Sequence, residues 1–165
     1  MGRRIAKRRG ITMNVNVLRS ESIGSIHAKS ADPAEPPAIR FNFLSAPVDA
    51  ELTVRAVRIA RSVMTAPAMA PFKLTEQAPG PGRQSDEQIV EWVKATAETT
   101  YHPVGTCKMG IDPMAVVDPR LRVHGLHGLR VADASIMPTL TSGNTNAPSI
   151  MIGDWASDLI LKDRA

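Results

Sequence analysis

Gly128-Leu129-Arg130-Val131-Ala132-Asp133-Ala134-Ser135-Ile136-Met137-Pro138 continues through Thr139-Leu140-Thr141-Ser142-Gly143-Asn144-Thr145-Asn146-Ala147-Pro148 into an apolar-periodic run that ends at Leu161. The stretch predicts a short strand, a polar loop that doubles back, and a helix opened by Asn146 and Pro148. Asn146 stands where a capping amide is expected. Ile150, Met151, Ile152, Trp155 and Leu159 supply the buried faces of that helix, and Gly153, unfavourable inside it, marks close packing against another backbone. A loop that meets a helix start offers fixed N–H donors and the positive end of a dipole to an anion or an electron-rich ring.

Upstream, Val123-His124-Gly125-Leu126-His127-Gly128 reads as a glycine-rich turn between two strands. Asp112-Pro113 and Asp118-Pro119 signal Asx-type turns. His102-Pro103-Val104-Gly105-Thr106-Cys107-Lys108-Met109-Gly110 is a short loop, stiff at Pro103 and permissive at Gly105. Its imidazole is suited to proton transfer near neutral pH, although a lone histidine is also a common structural hydrogen bonder. His102, Cys107, His124 and His127 are conceivable metal ligands, but one cysteine with scattered histidines is a weak zinc pattern, and no metal is assigned. Cys107 as a nucleophile with His102 as base has no further support in the sequence, and a small buried side chain is the plainer reading.

Toward the N-terminus, Ser85-Asp86-Glu87-Gln88 forms a capping box, and Ile89, Trp92, Val93 and Thr96 give the following helix one buried stripe. Pro67 to Gln84 is a proline- and glycine-rich loop, suited to a mobile cover over a pocket. From Asp49, a predicted cap, Leu52, Ala56, Ile59, Ala60 and Val63 recur at helical spacing, with Arg55, Arg58 and Arg61 on the outer face. Met13–Arg19 and Ser25–Lys29 alternate as two antiparallel strands around a turn at Gly24, and Ile39–Leu44 adds a third after the rigid connector Asp32–Pro37.

Composition sets the limits. A chain of 165 residues with 43% apolar content can bury one ordinary core, while 13 prolines and 11 glycines predict many loops. The net charge of +4 owes much to Arg3, Arg4, Lys7, Arg8 and Arg9, so the body is nearly balanced and no nucleic-acid partner is indicated. No apolar run approaches membrane-spanning length, and no long apolar region follows the basic N-terminus, so no membrane span is expected. A single cysteine cannot form an internal disulfide, and a cytoplasmic location is the expectation.

Four blocks, Tyr101–Gly110, Asp118–Gly125, Leu129–Pro138 and Ser142–Gly153, stand in an order that resembles the C-terminal part of the glucose–methanol–choline oxidoreductases. These flavoproteins oxidise alcohols, and the blocks resemble those of the choline dehydrogenase-like members. The resemblance covers about Val15 to Leu161. It implies an α+β fold, an antiparallel sheet with helices on one side, plus a C-terminal strand, loop and helix that in full-length relatives belongs to the FAD-binding domain. The corresponding segments are a basic tail at 1–12, a substrate-binding-type domain at 13–127 and the flavin-proximal piece at 128–165.

The resemblance also implies roles. His102 matches the histidine that manages the alcohol proton as hydride passes to flavin N5, and Asn146 matches the residue that holds the substrate oxygen. Asp133 and Ala134 match a segment along the sugar-phosphate side of FAD, while Asn144, Thr145 and Ala147 match the loop beside the isoalloxazine ring. The implied cofactor is FAD and the implied partners are an alcohol substrate and an FAD-binding half, in the same longer chain or a separate subunit. Two departures stand out: the Gly-x-Gly-x-x-Gly dinucleotide loop with its ribose-binding acid is absent, and Ser22-Ile23-Gly24 lacks the basic residue usual in relatives. A non-catalytic remnant or binding module is the alternative reading.

Overall fold

Pro47, with its fixed φ and no N–H to lose, begins the helix α1, Pro47–Met64, two residues before the expected cap. Ala46 occupies the N-cap without a side-chain bond, and Asp49 lies inside the first turn, 1% exposed. The capping role expected of Asp49 is therefore corrected. So is the inner face of α1: Val54 and Val57 are buried, whereas Ile59 and Val63 of the expected stripe are exposed. The residues described in this computed structural model are 9–163, so most of the basic tail lies outside them.

The helix α2, Asp86–Thr96, carries the expected capping box, with Ser85 accepting from the Gln88 N–H and the Gln88 side chain accepting from the Ser85 N–H. Ile89 and Val93 are buried from it and close on Val54 and Val57 of α1; Thr96, expected on the stripe, is exposed. Between the helices, the proline-rich segment contains a 3-10 helix at Pro67–Phe72. It is tied back to α1 by Arg61, which donates to Glu76 Oε1 at 3.0 Å and to the carbonyls of Gly80 and Arg83 at 3.2 and 2.8 Å. Leu44–Glu98, with the segment up to Val17, makes up one compact unit.

The other unit takes Leu18–Phe43 and everything from Thr99 onward. Its sheet has two antiparallel strands, β1 (Ser25–His27) and β2 (Ala38–Arg40), with Ile26 opposite Ile39. The first expected strand, 13–19, is not formed: Met13, Val15 and Leu18 are exposed, and no strand among the described residues takes up their alternation. Ser25–Lys29 therefore pairs with the β2 segment, and β2 ends early because Asn42 and Leu44 adopt left-handed φ of 55° and 57°. Gly24 is required by the pairing itself, since a Cβ there would lie 2.1 Å from the Arg40 carbonyl. An antiparallel sheet with helices makes the chain α+β, as expected.

The helix α3, Asn146–Lys162, buries Ile152, Ala156 and Leu159 against Val117, Leu121, Ile136 and Met137. Ile150, Met151 and Trp155, expected inside, are 66%, 59% and 53% exposed. A Cβ on Gly153 would meet nothing within 4 Å, so close backbone packing does not explain the glycine. The expected strand at Gly128 is reduced to a single bridge from Arg130 to Arg122 across the turn at Gly125. The far end of α3 is held by Asp163, which pairs with both Arg120 and Arg130.

Candidate functional site

The loop that begins at His102 is laid against the segment 133–137 by main-chain bonds. Cys107 N–H donates to the Ser135 carbonyl at 3.0 Å and Met109 N–H to the Ile136 carbonyl at 2.8 Å. Gly105, at φ 86°, supplies the left-handed turn that precedes both bonds. Asp133 fixes the next bend, its Oδ1 accepting from the Ser135 N–H at 2.8 Å as the N-cap of a short 3-10 turn, Ala134–Ile136. Ile136 and Met137 then enter the core under α3, so the helix, the turn and the histidine loop share one support.

The support closes on itself at the start of α3. The Nδ1 of His102, a half-buried ring, lies 3.0 Å from the hydroxyl of Thr145, which is 7% exposed. Thr145, not Asn146, is the N-cap of α3; Asn146 is already helical because the cap sits one residue earlier, and its side chain is exposed. Asn144 and Ala147 are exposed beside it, as is Asp133, while Ala134 is half-buried. His102 is thus brought against Thr145 and within one residue of Asn146, whereas Asp133 spends one carboxylate oxygen on its own turn. Sequence reasoning placed Thr145 beside a cofactor and missed its bond to His102, for which no local pattern exists.

The acidic turns behave as expected from their spacing. Asp118 Oδ1 accepts from the Arg120 and Arg122 N–H groups at 2.8 and 3.0 Å, and Asp112 Oδ1 from the Met114 N–H at 3.0 Å. Burial opposes ionisation of Asp118, yet the Arg122 guanidinium and these backbone donors hold its carboxyl below the ordinary value. Lys108 and the Met114 N–H do the same for Asp112. His124 Nε2 lies 3.1 Å from the Gly110 carbonyl, and among the described residues no three His, Cys, Asp or Glu groups converge as metal ligands. Cys107 is half-buried, not fully enclosed.

A flavin can be tested against this surface. The start of α3 has no side-chain cap, so its first N–H groups, at Asn146 and Ala147, are left for an electron-rich partner, and exposed amides flank them. Donors of this kind are chemically compatible with the electron-rich edge of a flavin ring. The pyrophosphate and adenine find no counterpart, because the chain lacks the glycine-rich dinucleotide loop. No helix among the described residues is long and apolar enough to cross a membrane.

The chain is 48% identical over 161 residues to Alcohol dehydrogenase (acceptor) of Pseudomonas putida, covering 98% of this chain and 29% of that protein. It is 48% identical over 159 residues to an Oxygen-dependent choline dehydrogenase of Escherichia coli, covering 96% of this chain and 28% of that one. Among solved structures it is similar to pyridoxine 4-oxidase from Mesorbium loti, with a TM-score of 0.80 at 32% identity over 86% of this chain and 28% of that one. An FAD-dependent oxidoreductase from Chaetomium thermophilum gives a TM-score of 0.82 at 29% identity, over 89% of this chain and 26% of that one. The chain therefore spans less than a third of the length of these relatives. A family model described as GMC oxidoreductase matches residues 20–153, and the chain belongs to that family, as its C-terminal domain.

Proposed function

We propose that this chain supplies the C-terminal part, mostly substrate side, of an FAD-dependent oxidoreductase that converts the CH–OH group of an alcohol to a carbonyl. The observation that carries the reading is the placement of His102 against the uncapped start of α3. The flavin, when bound, supplies the acceptor for the alcohol's hydride. His102 takes the hydroxyl proton, and Asn146, exposed one residue beyond the cap, holds the substrate oxygen. Asn144, Thr145 and Ala147 would border a bound flavin ring, where the N–H groups at the helix start would favour negative charge. Asp133 and Ala134 would lie toward its sugar-phosphate side.

The remainder of the cofactor's cradle belongs to an FAD-binding region, in the same longer chain or as a separate subunit. Two features support such a partner: the exposed Ile150, Met151 and Trp155 on α3, and an apolar cleft of about 150 Å³ lined by Met109, Leu121, Met151 and Trp155 among others. The segments 1–12, 13–127 and 128–165 are proposed as tail, substrate side and flavin side, and a cytoplasmic location is proposed from the single cysteine.

The test is flavin absorbance of the chain mixed with, or fused to, a family FAD-binding region, followed by its bleaching with primary alcohols such as choline. Bound flavin that bleaches is the expected result, and His102→Ala slows bleaching at least about a hundredfold, the usual worth of a general base. No bound flavin, or an unchanged rate in the alanine variant, would overturn the assignment.

A further inference from the structure

We propose that Thr145 is a positioning residue for His102, its hydroxyl accepting from Nδ1–H so that Nε2 is left as the proton acceptor. The inference rests on the proton-handling role of His102 proposed above, but its geometry is independent of any flavin. Thr145 is the N-cap of α3, where a threonine oxygen ordinarily accepts an N–H from the first helical turn. Here it makes no such bond, and its backbone, at φ −83° and ψ 0°, is not the extended one that capping uses. The hydroxyl of this residue, which is 7% exposed as a whole, is turned instead to His102 Nδ1 at 3.0 Å. Ser149 fixes the backbone that presents it, donating to the Thr145 carbonyl from N–H at 3.0 Å and from Oγ at 2.6 Å.

The direction of the bond follows from what a base requires. A neutral imidazole has one N–H, and it acts as a base only through the bare nitrogen. If the Thr145 hydroxyl donated to Nδ1, the proton of the neutral ring would sit on Nε2 and that atom would have nothing to accept with. If the hydroxyl accepts from Nδ1–H, the same bond serves the neutral ring and the imidazolium, so Nε2 gains and loses a proton while the ring stays in place.

The tautomer of His102 tests this directly. The full chain, without flavin, is labelled with 15N-histidine and long-range 1H–15N spectra are recorded; His102→Asn identifies the resonance among those of His27, His124 and His127. The Nδ1–H pattern is expected in the wild type. Thr145→Val should lower the ratio of Nδ1–H to Nε2–H forms about tenfold, the worth of one hydrogen bond, and Thr145→Ser should restore it. An Nε2–H pattern in the wild type overturns the proposal whether or not the valine variant folds, and so does an unchanged ratio in a folded valine variant. Failure of the flavin reading is distinguishable, since it leaves these spectra as they are and shows only in flavin uptake and bleaching.

Discussion

The two hydrophobic clusters of this chain are built in opposite ways. In one, Val54 and Val57 of α1 meet Ile89 and Val93 of α2, four side chains at helical spacing. In the other, three side chains of α3 meet Val117, Leu121, Ile136 and Met137, which come from loops and one short 3-10 turn. The first is held by periodicity, the second by main-chain bonds that shape loops before side chains can pack. His102 and Thr145 stand on the second, so the geometry of the candidate site depends on turns such as Gly105 and Asp133.

Truncation of the core is the strongest way to break that comparison. Ile89→Ala and Ile136→Ala should each cost about 2–5 kcal/mol in urea unfolding, through lost burial and an unfilled cavity. They should differ in where native-state hydrogen exchange accelerates: over α1 and α2 for Ile89, and at the Cys107 and Met109 amides, bonded to Ser135 and Ile136, for Ile136. A Cys107 amide still fully protected in Ile136→Ala would mean that the loop does not depend on its core.

Loss of the α2 cap is a smaller perturbation and should stay within the helical unit. Ser85→Ala is expected to cost about 1 kcal/mol, recovered largely by Ser85→Asp, as read by thermal melting. Acid gives the smallest and most selective effect. Burial opposes ionisation of Asp163, but Arg120 and Arg130 hold its folded carboxyl below the ordinary value, and Asp112 and Asp118 are lowered too. A depressed folded value means stabilisation that is complete above the unfolded value, about 3.9, and is lost as pH falls through the folded one. Asp163→Asn should therefore lower stability at neutral pH and flatten its decline below about pH 4 in pH-jump denaturation. An unaltered acid profile would assign the acid sensitivity to other carboxylates.

Sequence made the helical unit legible wherever a signal was local. The capping box of Ser85 and Gln88 and the burial of Ile89 and Val93 follow from chemistry within one or two turns. The inner face of α1 was misjudged because Ile59 and Val63 repeat as regularly as Val54 and Val57, and periodicity alone cannot say which stripe finds a partner. In the other unit the Asx turns at Asp112 and Asp118 were readable, since a side chain that bonds two residues ahead is also a local device. The alternation of Met13–Arg19 was real but had no sheet to join. The apolar residues of α3 were assigned inward as a set, although Ile150, Met151 and Trp155 face out, because sequence does not reveal whether a covering surface is present. The His102–Thr145 bond joins residues far apart in the chain and leaves no pattern in either neighbourhood.

One feature of α3 also makes the chain convenient to observe. Its two tryptophans fall one to each unit: Trp92 is half-buried beside the α1–α2 cluster, and Trp155 is exposed on α3 with the Lys162 ammonium 5.6 Å from its ring centroid. Each unit thus carries its own fluorophore in a distinct setting, one shielded and one wet. With Trp92→Phe the remaining emission reports on α3 alone, and with Trp155→Phe on the helical pair, so quenching and spectral shift resolve which unit loosens first.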